Sequence, residues 1–78
     1  MSRRIKMIWD FRGEDNKPIA EHHKIHLDQF IEKDGIENAV SGVEYVNDKH
    51  TIAFITVPEE FMIPVRDALI PHRGEIEG

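Results

Sequence analysis

The stretch PIAEHHKIHLDQFIEKD, residues 18 to 34, decides the fold because it is the longest segment with a helical pattern. At about 100° per residue, one face occupies roughly a third of the helix circumference and carries most of its apolar side chains. That face comprises Ile19, Ala20, His23, Leu27, Phe30 and Ile31. Asp15 and Asn16 can cap the start, Pro18 suits the first turn, and Gly35 can end the helix in the left-handed conformation. The pattern predicts one amphipathic helix packed on the rest of the chain.

The segments around this helix have the patterns of strands and of one further helix. Alternation of apolar and polar residues predicts the first strand, and turn-forming Asn47 and Asp48 separate the second from the third. The third strand has apolar residues at both of its alternating sets of positions, so both of its faces are expected to be buried, as in a central strand. Acidic residues after Pro58 favour a second helix, in which Pro64 predicts a kink or a restart. The strands are expected at residues 4–11, 40–47 and 50–57, and the second helix at residues 58–71.

The element order β-α-β-β-α predicts an α+β fold, a two-layer sandwich over a single domain of residues 1–78. A right-handed crossover leaves a gap between the first two strands, which the third can fill to give the sheet order 1-3-2. This is a ferredoxin-like, or split βαβ, arrangement whose fourth strand is absent or reduced to residues 74–78. Residues 1–3 and 75–78 are candidates for disorder. The expected core residues are Trp9, Phe11, Leu27, Phe30, Ile55, Val65 and Leu69.

Composition narrows the classes of function. The formal net charge of −5 argues against a dedicated nucleic-acid binder, because phosphate contacts need clustered Lys and Arg. The chain contains no cysteine, which excludes disulfides and thiolate chemistry. It has neither a membrane-spanning apolar run nor the pattern of a secretion signal, so a cytoplasmic protein without a membrane partner is expected.

Histidines on the first helix suggest a divalent metal site. His22 and His26 are four residues apart, so their rings lie side by side and can share zinc, nickel or copper. The third ligand in this hypothesis is His50, with His72, Asp10, Glu44 or a second subunit as alternatives. Zinc is the one cofactor that the sequence suggests. The competing interpretation is that these imidazoles are exposed side chains without a ligand.

His23 suggests a different site because it lies within the apolar face of the helix. A buried imidazole needs a hydrogen-bonding partner, and its pKa near neutrality suits general acid–base chemistry. The hypothesis joins His23 with Asp10 and Arg12, the latter holding an anionic ligand. The hydrogen-bonding partner of the His23 ring is expected from a loop or the second helix, with His72 as the candidate. An enzyme that uses His23 or His26 as its acid–base is the third-ranked reading, and a structural role between helix and sheet is the simpler one.

The sequence favours a non-enzymatic homodimer that serves as an interaction or ligand-binding module. A chain of this length is near the lower limit for one core. Two helices cover only one face of a sheet, yet Ile8 and the third strand place apolar residues on the other face too. The first strand would also be a free edge if no fourth strand paired with it. Pairing by sheet face and pairing by strand edge both remain open.

Overall fold

The computed structural model describes residues 3–77, with side chains as far as residue 76. Its elements in chain order are β1 (Arg4–Arg12), α1 (Asn16–Asp34), β2 (Val40–Asn47), β3 (His50–Pro58), a 3-10 turn (Glu59–Phe61), α2 (Met62–Leu69) and β4 (Arg73–Glu77). The α+β class is confirmed, and the first three strands begin and end within one residue of their predicted limits. Of the segments expected to be disordered, residues 1, 2 and 78 lie outside the described residues, whereas residues 75–77 belong to β4.

The sheet has the order β2-β3-β1-β4, and neighbouring strands are antiparallel. The predicted neighbours 1-3-2 are confirmed. Of the two alternatives for the fourth strand, its absence is wrong, whereas a very short strand near residues 74–78 agrees with the structure, because Arg73–Glu77 pairs in register with the start of β1, from Arg4 to Ile8. The complete sheet, 2-3-1-4, therefore replaces the three-stranded ferredoxin-like sheet expected from the sequence. Five residues are too few to show a clear alternation, which is why the sequence pattern could not decide whether this strand forms.

The fourth strand changes which strands are edges. β1 pairs with β3 on one side and with β4 on the other, so it is a central strand and not a free edge. β3 is also central, as its composition predicts. The edges of the sheet are β2 and β4.

One face of the sheet carries the helices and the core. Trp9, Leu27, Ile55 and Val65 are buried there as predicted, together with Ile5, Met7, Ala20, Ala53 and Val57. The other predicted core residues, Phe11, Phe30 and Leu69, are partly buried and pack against this cluster. Within the described part of the chain, the opposite face carries no helix. Ile8 and Ile52 are nevertheless buried on it, and each lies on a central strand with a neighbouring strand on both sides.

α1 is confirmed, with two differences in detail. Gly35 ends the helix in the left-handed conformation (φ 61°), and the Ile36 N–H donates to the Ile31 carbonyl as expected at such an end. Ile19, predicted on the buried face, is half-exposed. Asn16, predicted as a cap, lies inside the first turn and is buried. Its amide donates to the carbonyls of Gly13 and Asp48 and accepts from the Thr51 hydroxyl.

The second helical segment restarts, but before Pro64. The 3-10 turn gives way to α2 at Met62, so Pro64 is the third residue of α2. An N–H at that position has no partner within the helix, and proline is tolerated there without a kink. α2 ends where Ile70 adopts a left-handed conformation (φ 49°) just before Pro71. Within residues 3–77, no helix is long and apolar enough to cross a membrane.

Candidate functional site

His22 and His26 form the pair predicted from their spacing. Their Nε2 atoms lie 3.0 Å apart, and the two rings are nearly perpendicular with centroids separated by 4.6 Å. Both residues are exposed. The two nitrogens can share one proton, or both can direct lone pairs at one ion.

The remaining predicted metal ligand is elsewhere. His50 lies on the helix-free face of the sheet, where its Nε2 donates to Asp10 at 2.8 Å. Across residues 3–77, no three His, Cys, Asp or Glu side chains are grouped so that they could hold a metal ion. His22 and His26 therefore have no third protein ligand within this part of the chain.

His23 lies half-buried between α1 and the sheet. Its ring contacts Trp9 and Phe11, with centroid separations of 4.6 and 5.5 Å. Its Nε2 is buried and makes no hydrogen bond with a described residue. Burial lowers the pKa of His23 below its ordinary value, and charge on His26, His72 and His22 would lower it further. The neutral imidazole thus acts as part of the helix–sheet packing.

The proposed partners of His23 are not assembled around it. The Asp10 carboxylate points to the helix-free face, on the other side of the sheet from α1. Arg12 is exposed at the end of β1, opposite His50 in the register. His72 bonds to the backbone instead, because its Nδ1 accepts from the Asp10 N–H at 2.9 Å.

Asp10 is the centre of an ion-pair cluster that the sequence did not predict. Arg73 donates from Nε and Nη2 to its two oxygens at 3.0 and 3.3 Å, and His50 donates at 2.8 Å. Arg73, followed by His50, holds the pKa of Asp10 below its ordinary value although partial burial opposes this. With both oxygens engaged, Asp10 fastens β4 and β3 to β1 and is poorly suited to proton transfer. Its partner Arg73 could be recognised only once β4 was known to pair with β1.

β2 is an edge strand that carries three exposed apolar side chains. Val40, Tyr45 and Val46, here called the β2 edge surface, are 54%, 54% and 50% exposed, and the register places Val40 and Tyr45 on opposite faces of the sheet. β2 pairs with β3 alone among the described strands. Its position is fixed from α1, since the Tyr45 hydroxyl donates to Glu21 and the Ser41 hydroxyl donates to Asp28.

A groove lies between α2 and β4, at the side of the sheet opposite to β2. This α2–β4 groove has a volume of about 430 Å³. Its apolar lining includes Ile5 and Met7 of β1, Met62 of α2, Pro71 and Ile76, and its charged rim includes Arg3, Glu59, Arg66, Arg73 and Glu75. Sequence patterns gave no indication of it, because the groove depends on how β4 pairs with β1 beside α2.

Comparison with protein-family models, with curated proteins and with solved structures found no match for this chain. The class that the fold and these surfaces define is a small α+β domain with a four-stranded antiparallel sheet. Its function therefore has to be inferred from contacts within the chain.

Proposed function

We propose that the protein is a non-enzymatic interaction module that forms a homodimer by antiparallel pairing of two β2 strands. The observation that carries the proposal is the β2 edge surface, an eight-residue edge strand with three large apolar side chains about half exposed. An edge strand of this kind offers unpaired N–H and C=O groups to another strand. Two copies related by a two-fold axis would satisfy those groups and join their sheets into one of eight strands.

The composition of the two sheet edges favours β2 over β4. Edge strands are commonly protected by shortness, by proline or by charge, above all by lysine. β4 is five residues long and has the sequence RGEIE. β2, with the sequence VSGVEYVN, contains no Lys, Arg or Pro and a single charge at Glu44. Its one irregularity is a shift in register between Tyr45 and Asn47.

The helix-free face is a weaker candidate for the dimer contact. A face-packed dimer would gain stability from burying apolar side chains that the monomer exposes. Ile8 is only 1% exposed and Ile52 only 3% exposed in the single chain. A face-packed dimer would bury almost no further area of these two residues, so we favour pairing through the strand edge.

The helix beside β2 is compatible with this arrangement. The flank of α1 next to β2 carries Lys17, Glu21, Lys24 and Asp28, and Lys24 pairs with Asp28 at 2.8 Å. Two positive and two negative groups leave this flank with no formal net charge. Two copies would therefore not meet as surfaces of like charge, which would oppose association.

Sedimentation equilibrium at tens of micromolar tests the dimer. We expect a mass of twice 9.1 kDa for the wild type. The double variant Val40→Lys/Val46→Lys should be monomeric, because it introduces two like charges on the strand that must pair with itself. The matched control is Ile25→Lys/Ile63→Lys, which makes the same change of charge at two equally exposed positions on the helices. A wild-type monomer, or a monomer in the control as well, would contradict the proposal.

A second candidate function is the binding of a divalent metal by His22 and His26. The 3.0 Å between their Nε2 atoms favours it. Two nitrogens each about 2.0–2.1 Å from a tetrahedral zinc are themselves about 3.3 Å apart, so little movement is needed. Water molecules or a second subunit would complete the coordination.

Titration with zinc or nickel, followed by the histidine NMR signals, tests this second function. Binding should weaken near pH 5, where imidazoles become protonated. His22→Ala and His26→Ala should each abolish it, whereas Lys24→Ala on the same helix should not. Equal effects of the three substitutions, or no binding at micromolar metal, would reject the site.

A further inference from the structure

We propose that the α2–β4 groove binds a small molecule that has an apolar body and one carboxylate. Its volume of about 430 Å³ lies in the range of small-molecule sites, which are concave and mostly apolar with a few polar groups. Strands β3 and β1 separate the groove from the β2 edge surface. The inference therefore goes beyond the proposed dimer, and each can fail without the other.

The groove exists because α2 is too short to cover β4. The helix ends at Leu69, where Ile70 takes a left-handed conformation and Pro71 follows. A β-branched residue is sparsely populated in that region, so this chain reversal is fixed by its surroundings. As a result, Ile76 on the helix-bearing side of β4 remains 65% exposed, and Met62 on α2 is only partly buried.

Gly74 keeps the floor of the groove open. It lies opposite Met7 in the antiparallel register, so a side chain at this position would share the helix-bearing face with Met7. The nearest atom to a Cβ placed on Gly74 is the Lys6 carbonyl oxygen at 3.8 Å, an ordinary van der Waals distance. A Cβ can therefore be added at this position without a steric clash, and a longer side chain would extend from it towards the groove.

One arginine at the rim is available to an anion. Three guanidinium groups, Arg3, Arg66 and Arg73, and two carboxylates, Glu59 and Glu75, line the groove. Arg73 is already engaged with Asp10 and Glu75. Arg66 is paired only with its neighbour Asp67 among the described residues, at 3.5 Å and with both side chains more than half exposed. An ion pair of that kind is weak, so Arg66 can turn towards a ligand carboxylate.

Together, the apolar floor and the arginines at the rim fit a monocarboxylate such as a medium-chain fatty acid. The hydrocarbon part would lie on Met7, Met62 and Ile76, and the carboxylate would accept hydrogen bonds from Arg66. Octanoate is a suitable probe, and octan-1-ol is its uncharged counterpart with the same chain.

NMR of the methionine methyl groups provides the test. Octanoate should produce saturable shifts of the Met7 and Met62 signals in the wild type. Gly74→Leu, which fills the groove, should abolish these shifts. Arg66→Gln should weaken octanoate binding about tenfold, the usual loss for one charge-assisted hydrogen bond, and leave octan-1-ol binding unchanged. Arg12→Gln, an exposed arginine outside the groove, is the matched control and should leave both affinities unchanged.

Several outcomes would overturn the proposal. They are the absence of saturable shifts at Met7 and Met62, binding that survives Gly74→Leu, and equal loss of octanoate and octan-1-ol binding in Arg66→Gln. Shifts of Met62 that depend on protein concentration without octanoate would also overturn it, because a second copy of the chain would then occupy the groove. Should Gly74→Leu fail to fold, the two probes with Arg66→Gln still decide the question.

Discussion

Replacing Asn16 by alanine should destabilise the domain strongly, because this side chain joins three parts of the chain. It is 2% exposed, and its amide bonds to Gly13 in the loop after β1, to Asp48 in the β2–β3 turn and to Thr51 in β3. Hydrogen bonds of this kind each contribute about 0.5–1.5 kcal/mol. Three of them give a loss of about 3 kcal/mol, a large share of the roughly 5–15 kcal/mol that stabilises a small domain.

Urea unfolding at one low protein concentration measures this loss without interference from dimer formation. Asn47→Ala is the matched control, since Asn47 is exposed and, among residues 3–77, its side chain accepts a hydrogen bond only from the Lys49 N–H at 2.9 Å. The control should lose about 1 kcal/mol or less. A loss for Asn16→Ala no larger than that of the control would refute the reasoning.

A double-mutant cycle tests the origin of the effect. Asn16→Ala leaves the Thr51 hydroxyl buried without its partner, and Thr51 is 0% exposed. Adding Thr51→Val removes that hydroxyl, so the double variant should be more stable than the sum of the single losses predicts, by about 1 kcal/mol. Strict additivity would show that the hydrogen bond between the two residues does not carry the stability.

Three further predictions concern stability. Phe30→Ala should lower the free energy of unfolding in urea by about 2–4 kcal/mol, which is less than a fully buried phenyl ring would cost because Phe30 is only partly buried. A loss below about 1 kcal/mol would show that Phe30 is not part of the packing. The pKa of Asp10 is lowered in the folded protein, so the contribution of its carboxylate to the free energy of unfolding is fully present above the unfolded pKa of about 3.9 and is lost as the pH falls through the folded pKa. The difference in stability between the wild type and Asp10→Asn should therefore shrink below about pH 4. A difference that stays constant with pH would contradict this. Pro64→Ala should change the melting temperature little, because the backbone N–H that proline lacks would have no hydrogen-bonding partner within α2 at this position. A large stabilisation would mean that Pro64 strains α2.

The sequence determined the elements that depend on neighbours along the chain. The period of the apolar residues defined α1, Gly35 defined its end, and Asn47 and Asp48 defined the turn between β2 and β3. The spacing of His22 and His26 also predicted that their rings meet. Each of these features follows from backbone geometry over a few residues, which is why periodicity and turn chemistry recover it.

Tertiary structure alone decided which distant segments meet. β4 pairs with β1 across more than sixty residues of chain, and this pairing brings Arg73 to Asp10, forms one wall of the α2–β4 groove and makes β4, in place of β1, the second edge of the sheet. Asn16 could act as a cap by its position, but the hairpin that folds over it makes it a buried link. Such contacts depend on strand register and on the packing of segments far apart in sequence. Composition and local periodicity predict neither the register nor this packing.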